Sequence, residues 1–427
     1  MRKIPDNISE FDIDSKLLQI AEDTLDDIVD INKSVDKVAF FNQGKVIKAM
    51  QKARPSYNQF IIATGYGYGD ISRDVVDNVY ADVFNTGDAI VRPHFASGTH
   101  VLSTVLFGLL RPGDELIYAT GEPYDTMRTI IHGRVGEGSL DEYGIGYKEV
   151  PLNKDGSINI EGLIESIDSN TKVIMFQRSR GYSWRPSISV ESLESAIAAV
   201  KEHNKDIVCS IDNCYGEFVE EKEPSDVGAD VVAGSLIKNP GAGLAISGGY
   251  IAGRKDLIEK ISYRMTAPGL GKDMGTNFGL SRDILEGLFL APHVVGQAVK
   301  GAIFVSHLFE KLGFEVSPAF DAKRTDIVQA VKLQDPKKLV SFCQGIQKAN
   351  PIDSFVQPEP WDMPGYDDKV IMSSGGFVDG SSIELSADAP LRDPYILYVQ
   401  GGLTFEHAII GSLMAVQNMI NEDLIKL

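Results

Sequence analysis

Lys238 is the only charged side chain between Val231 and Gly253, a run of apolar and small residues broken by Asn239-Pro240-Gly241. A lysine in such surroundings loses hydration, which is expected to lower its pKa and free a neutral amine nucleophile. That is the chemistry of a Schiff-base lysine. A lysine that snorkels to solvent at a strand end has the same local sequence. Asp212 closes the apolar run IVCSI, 26 residues before Lys238. A carboxylate there can pair with a protonated pyridine nitrogen, and it equally suits an Asp that caps the following turn. Taken with Lys238 in the next strand, the cofactor reading gains.

Ser97-Gly98-Thr99-His100 separates the strand-like AIVR from the helical VLSTVLFGLL. Small residues at a helix start let backbone N–H groups reach a phosphate, and the two hydroxyls add donors. An ordinary Ser/Thr N-cap reads the same way. Ser235, three residues before Lys238, offers one more hydroxyl, and Tyr124, after the strand ELIYA, offers a ring to stack on a planar cofactor or simply a core side chain. A lysine nucleophile, a pyridine partner, a phosphate cradle and a stacking ring together point to pyridoxal 5'-phosphate. Competing motifs are weak. Gly65–Gly69 and Gly241–Gly243 lack GxGxxG spacing, no Walker A sequence occurs, and Ser235-Leu-Ile-Lys238 matches S-x-x-K without a K-T-G companion. The seven His show no metal-ligand spacing, so no metal site is expected.

These residues need strands to carry them. From about residue 90 to 253, short apolar runs (AIVR, ELIYA, KVIMFQ, IVCSI, DVVAGS, GGYIAG) alternate with helical ones, which predicts βα units and a mostly parallel sheet buried on both faces. Functional residues of such sheets gather at the carboxyl ends of strands. Two amphipathic stretches fill 15–53, a long helix is predicted near 281–312, and a smaller α+β region with a final helix near 404–421 follows. The expected division is a helical segment over 1–55 that packs with the small domain, a large cofactor domain over 56–300 and a small domain over 301–427. The 427 residues carry 41 glycines, a 43% hydrophobic fraction and a net charge of −19, which argues against nucleic acid or anionic lipid as partners. The three cysteines have no CxxC spacing and the first sixteen residues lack the apolar core of a signal peptide, so a reducing, cytoplasmic setting is expected.

The segments YGYGDISRD, SGTH, EPYDT, QRSRGY, IDNCYGEF, GSLIKNPGAG and YVQGGLTFEH, spread over residues 66–407, resemble the cystathionine β-lyase and methionine γ-lyase group. More closely, the chain is similar to that group's bacterial aluminium-resistance branch. The resemblance implies the aspartate-aminotransferase fold, fold type I of pyridoxal-phosphate enzymes, with a seven-stranded-type sheet domain and a smaller α+β domain. It implies that Lys238 attaches the cofactor and moves the α-proton, and that Asp212 binds the ring nitrogen. Tyr124 would stack on the ring, and Ser97, Gly98, Thr99 and Ser235 would hold the phosphate. It also implies a homodimer or homotetramer whose sites are shared, with Tyr66 or Tyr68 and Arg73 reaching the neighbour's phosphate. Arg392, with Arg180, would bind the substrate carboxylate.

Three departures from the better-known lyases bear on the substrate. Ile237 stands where they have a hydroxyl residue, Tyr68 and Arg73 are five positions apart instead of two, and Arg178-Ser-Arg180-Gly181-Tyr182 replaces a segment with a cofactor-binding Asn. The expected activity is elimination of a thiol from a sulfur-containing amino acid, at the β or γ carbon. Transamination, aldol cleavage and a cofactor-binding stress protein with little lyase activity are the alternatives.

Overall fold

The computed structural model describes residues 4–427; Met1–Lys3 of the amino-terminal stretch lie outside it. In chain order the elements are α1 (Ser15–Asp27), α2 (Val29–Ala53), α3 (Ile71–Val83), β1 (Asp88–Arg92), α4 (Gly98–Leu109), β2 (Glu115–Tyr118), α5 (Asp125–His132) and β3 (Gly146–Glu149). They continue with α6 (Ile160–Ser166), β4 (Thr171–Gln177), α7 (Val190–His203), β5 (Val208–Asp212), β6 (Val231–Ser235), β7 (Gly249–Gly253), α8 (Lys255–Met265) and α9 (Ser281–Lys311). The last are β8 (Glu315–Ser317), β9 (Gln329–Lys332), α10 (Pro336–Ala349), β10 (Val370–Ser373), β11 (Ser386–Pro390), β12 (Ile396–Gln400) and α11 (Phe405–Asn421).

Seven strands form one sheet in the order β1-β7-β6-β5-β4-β2-β3. All are parallel except β7, which runs antiparallel to both β1 and β6. The apolar runs are continuous because both faces are covered. Ile90, Leu116, Val173, Val231 and Ile251 pack on one side with residues of α4, α5 and α8. Val91, Ile117, Ile174, Val232 and Tyr250 pack on the other with α3, α7 and α9. The edge strand β3, GYKE, is polar and half exposed, and hydrophobic patterning does not mark it.

Because β1, β2, β4, β5 and β6 point the same way, Arg92, Tyr118, Gln177, Asp212 and Ser235 all end at one edge of the sheet. Register places Gln177 opposite Asp212, and Asp212 opposite Ala233. A second sheet, β10-β11-β12-β9-β8, is antiparallel throughout and is backed by α10 and α9, with α11 packed on both helices. The 31-residue α9 is long and apolar enough to cross a membrane by composition, but most of it is buried between the two sheets' helices. α1 packs on α9 and α11, and α2 runs along α9 and α3.

Candidate cofactor and active site

Four sheet ends and the helix after β1 build one cavity of about 240 Å³. Ser97, Gly98, Thr99, Tyr124, Asp212, Ser235 and Lys238 all line it, so seven of the residues singled out above converge. Ser97 caps α4, its Oγ accepting from the His100 N–H at 3.1 Å. The cap fixes the first turn, whose free N–H groups and macrodipole face the cavity. A Cβ on Gly98 would lie 3.5 Å from the Ser235 Cβ and 3.7 Å from the Cys214 Sγ, so the missing side chain leaves the cradle open. The Thr99 hydroxyl meets that of Thr126 at 2.8 Å.

Asp212 is buried; Oδ1 accepts from the Cys214 N–H at 3.1 Å, and the Cys214 thiol adds a side-chain bond to the carboxylate. Burial pushes its carboxyl upward from the ordinary range, opposed by the charge of Lys238. A protonated ring nitrogen would give this carboxylate the cationic partner it lacks. Tyr124 is held by its N–H donating to Gln177 Oε1 at 2.9 Å, which places a buried ring beside the cavity. The donor set at the helix end, the buried carboxylate and the open cradle therefore fit pyridoxal phosphate.

Lys238 corrects one expectation. Burial acts to lower its pKa, but Cys214, Tyr215, Asp212 and Glu217 raise it, and the net direction is upward. These acids come from β5 and the turn after it, which no local reading of residues 231–253 includes. The ammonium rests 4.1 Å from the centre of the Tyr215 ring, a cation–π contact. Tyr215 has φ of +71°, a strained setting for a bulky residue and one that recurs at functional sites.

The remaining candidates stand elsewhere. Tyr66 and Tyr68 are exposed and outside the cavity, while Arg73 is buried and donates to the Gly67 and Gly275 carbonyls at 3.0 and 3.1 Å. Arg392 is held by Asp368 at 3.2 Å and by the Tyr182 carbonyl at 3.0 Å. Arg180 is buried with Nη1 on Ser317 Oγ at 3.1 Å, and burial lowers its pKa. Neither arginine lines the cavity. Sequence reading missed Tyr215, Tyr366, Asp388 and Gln400, all of which line the cavity or its 70 Å³ extension. Of these, only Tyr215 and Gln400 fall inside a recognised segment, IDNCYGEF and YVQGGLTFEH.

The sheet, its switch of strand direction and this constellation define a pyridoxal-phosphate-dependent protein of fold type I, with pyridoxal 5'-phosphate as cofactor. More narrowly, the chain belongs to the methionine γ-lyase family, whose model matches residues 17–420. Among curated proteins it is 50% identical over 401 residues to the uncharacterized protein YnbB of Bacillus subtilis, covering 93% of this chain and 95% of that one. A solved carbon–sulfur lyase involved in aluminium resistance from Clostridium novyi superposes with a TM-score of 0.94 at 50% identity, covering 98% of this chain and 99% of that one. The pyridoxal-5'-phosphate-dependent protein YhfS of Escherichia coli shares the fold, with a TM-score of 0.60 at 15% identity over 91% of this chain and 97% of its own.

Proposed function

We propose that this protein is a carbon–sulfur lyase acting on a sulfur-containing amino acid by β- or γ-elimination. The observation that carries the reading is the meeting of Lys238, Asp212 and the 97–99 helix start in one buried cavity. Bound pyridoxal phosphate supplies an electron sink that makes the Cα–H of an attached amino acid acidic. Asp212 would keep the ring nitrogen protonated. Ser97, Gly98, Thr99 and Ser235 would anchor the phosphate, and Tyr124 would fix the ring plane. Lys238 would hold the cofactor, and its Nζ would move the α-proton. Loss of thiolate from Cβ follows removal of the α-proton, and loss from Cγ requires a Cβ proton to be removed as well.

Among the described residues, Lys238 is the only basic one lining the cavity. Several large apolar side chains are exposed: Phe40 is 84% exposed and Tyr57 92%, with Ile61, Ile62, Tyr66, Tyr68 and Phe278 also exposed. Exposed aromatic side chains of this kind support a homo-oligomer in which a second copy lends Tyr66 or Tyr68 to the site, while Arg73, held by its own chain's Gly67 and Gly275 carbonyls, would have to leave them to take part. A division of the chain at residue 55 and at residue 300 is also proposed, the second boundary falling within the continuous helix α9 (Ser281–Lys311), which would link the two domains.

The test is to supply the holoprotein with cystathionine, methionine and cysteine and follow free thiol and 2-oxo acid. Lys238→Ala is expected to abolish both product release and the borohydride-reducible cofactor band. Amine transfer to an oxo acid, or aldehyde from threonine, without thiol release from any substrate would overturn the lyase reading.

A further inference from the structure

The wall of the cavity opposite the large sheet is made by the antiparallel sheet, and its charge is negative. Asp388 of β11 is buried and lines both the main cavity and its extension. Its Oδ2 accepts from Gln400 Nε2 of β12 at 2.7 Å, and the same amide nitrogen lies 3.2 Å from Ser386 Oγ. On the same wall the Ser381 hydroxyl is buried with no hydrogen-bond partner.

The lining residues include two buried carboxylates, Asp212 and Asp388, against one cation, Lys238. Under the function proposed above, the ring nitrogen occupies Asp212 and the lysine nitrogen is committed to the cofactor. Asp388 is then left facing the cavity with only neutral partners, the Gln400 amide and the Tyr182 hydroxyl. A buried carboxylate without a countercharge is costly, so a cation from the bound molecule is the natural complement. The arginines that would reverse this charge are absent from the wall: Arg392 is engaged by Asp368 and the Tyr182 carbonyl, and Arg180 by Ser317.

We propose that Asp388, oriented by Gln400, is a specificity-determining residue that selects amino acids carrying a second positive charge, a side-chain ammonium. Burial pushes its carboxyl upward, with the Gln400 amide, the Lys238 charge and the Tyr182 hydroxyl acting against the rise. An ammonium beside it favours the ionised form and pairs with it.

The test separates binding from cleavage. Holoprotein is titrated with L-lysine, L-norleucine and L-2-aminoadipate, near-isosteres with cationic, neutral and anionic ends, while the cofactor's absorption is followed. Lysine is expected to bind about tenfold tighter than norleucine or better, and aminoadipate weakest. Asp388→Asn, which keeps the shape and an acceptor for Gln400, is expected to bring lysine and norleucine within about threefold, and Asp388→Glu to restore a preference for lysine. No response to lysine, an equal response to all three, or a preference unchanged in Asp388→Asn would overturn the proposal. A second arm uses S-(2-aminoethyl)-L-cysteine, S-propyl-L-cysteine and S-carboxymethyl-L-cysteine, with thiol as the readout. Thiol released equally from all three defeats the inference and leaves the lyase reading standing. No thiol from any of them, with the lysine preference intact, defeats the lyase reading and leaves the inference standing.

Discussion

The hydroxyls of Tyr124 and Tyr366 lie 2.5 Å apart, joining the N-terminus of α5 to the loop that precedes β10. Their rings meet edge to face with centroids 6.0 Å apart, and Tyr182 packs against both. This bond and ring cluster add to the paired backbone bonds between Trp361 and Val370 and the Arg392–Asp368 ion pair in holding the stretch around Trp361 and Gly365 over the cavity.

Tyr366→Phe keeps the ring and deletes the bond, at a cost of about 1 kcal/mol. Global melting is expected to shift little. Amide hydrogen exchange over residues 363–367 is expected to quicken, because this tip lies between the Trp361–Val370 backbone pair and the Arg392–Asp368 ion pair and opens locally without unfolding either. Unchanged protection there would show that ring packing alone holds the loop.

Asp212→Asn retains an acceptor for the Cys214 N–H but removes the buried charge. A charge-assisted bond to the ring nitrogen is worth roughly 1.5–3 kcal/mol, so cofactor affinity is expected to fall about 10- to 100-fold. The cofactor-free protein should melt at the same temperature or higher, since an ion whose carboxyl is already pushed upward by burial is gone. Equilibrium dialysis and thermal melts read the two effects, and a drop in both together would mark Asp212 as structural.

Gly98→Ala separates fold from cradle in the opposite direction. Gly98 begins α4 at an ordinary helical backbone setting, and its added Cβ meets neighbours only at normal contact distance. Stability is expected to hold or rise by up to about 1 kcal/mol. Cofactor affinity should fall, because the methyl occupies the side from which the phosphate approaches N–H groups and Ser235. A variant that binds cofactor as tightly as the parent would move the phosphate elsewhere.

Lys238 and Asp212 are legible in the sequence because each closes a strand buried on both faces, and such strands are plain apolar runs. Chain order then puts their ends side by side in β5 and β6. β3 is not legible, since an edge strand with Lys148 and Glu149 has no apolar face to repeat. The opposite wall is hidden for another reason. Asp388 and Gln400 meet only through the antiparallel pairing of β11 and β12, and SADAP alternates with period two but has only two small alanines on its apolar face, too weak a signal to mark a strand. The charge state of Lys238 is hidden likewise, because it depends on acids such as Tyr215 that a positive-φ turn aims back under it.

Glu217 gives a prediction in pH. It is buried beneath β6, where Oε1 accepts from the Tyr250 hydroxyl at 2.9 Å and Oε2 has no partner. Burial, with the charge of Glu223 adding to it, pushes the carboxyl from 4.5 up to about 8. The folded chain therefore holds this proton over a pH range in which the unfolded chain has released it. With more protons on the native side, this group's contribution to stability falls as pH rises from about 4.5 to about 8, by at most ~1.4 kcal/mol per pH unit, and is level on either side. Glu217→Gln copies the neutral acid, keeps an acceptor for Tyr250 and does not titrate. Denaturant midpoints of the cofactor-free proteins at about pH 5 and about pH 8 are expected to show little difference at the lower value and a more stable variant at the higher, by on the order of a few kcal/mol. Parallel curves for the two proteins would mean that Glu217 is ionised in the fold, and that a cation, with Lys238 the nearest candidate, compensates it.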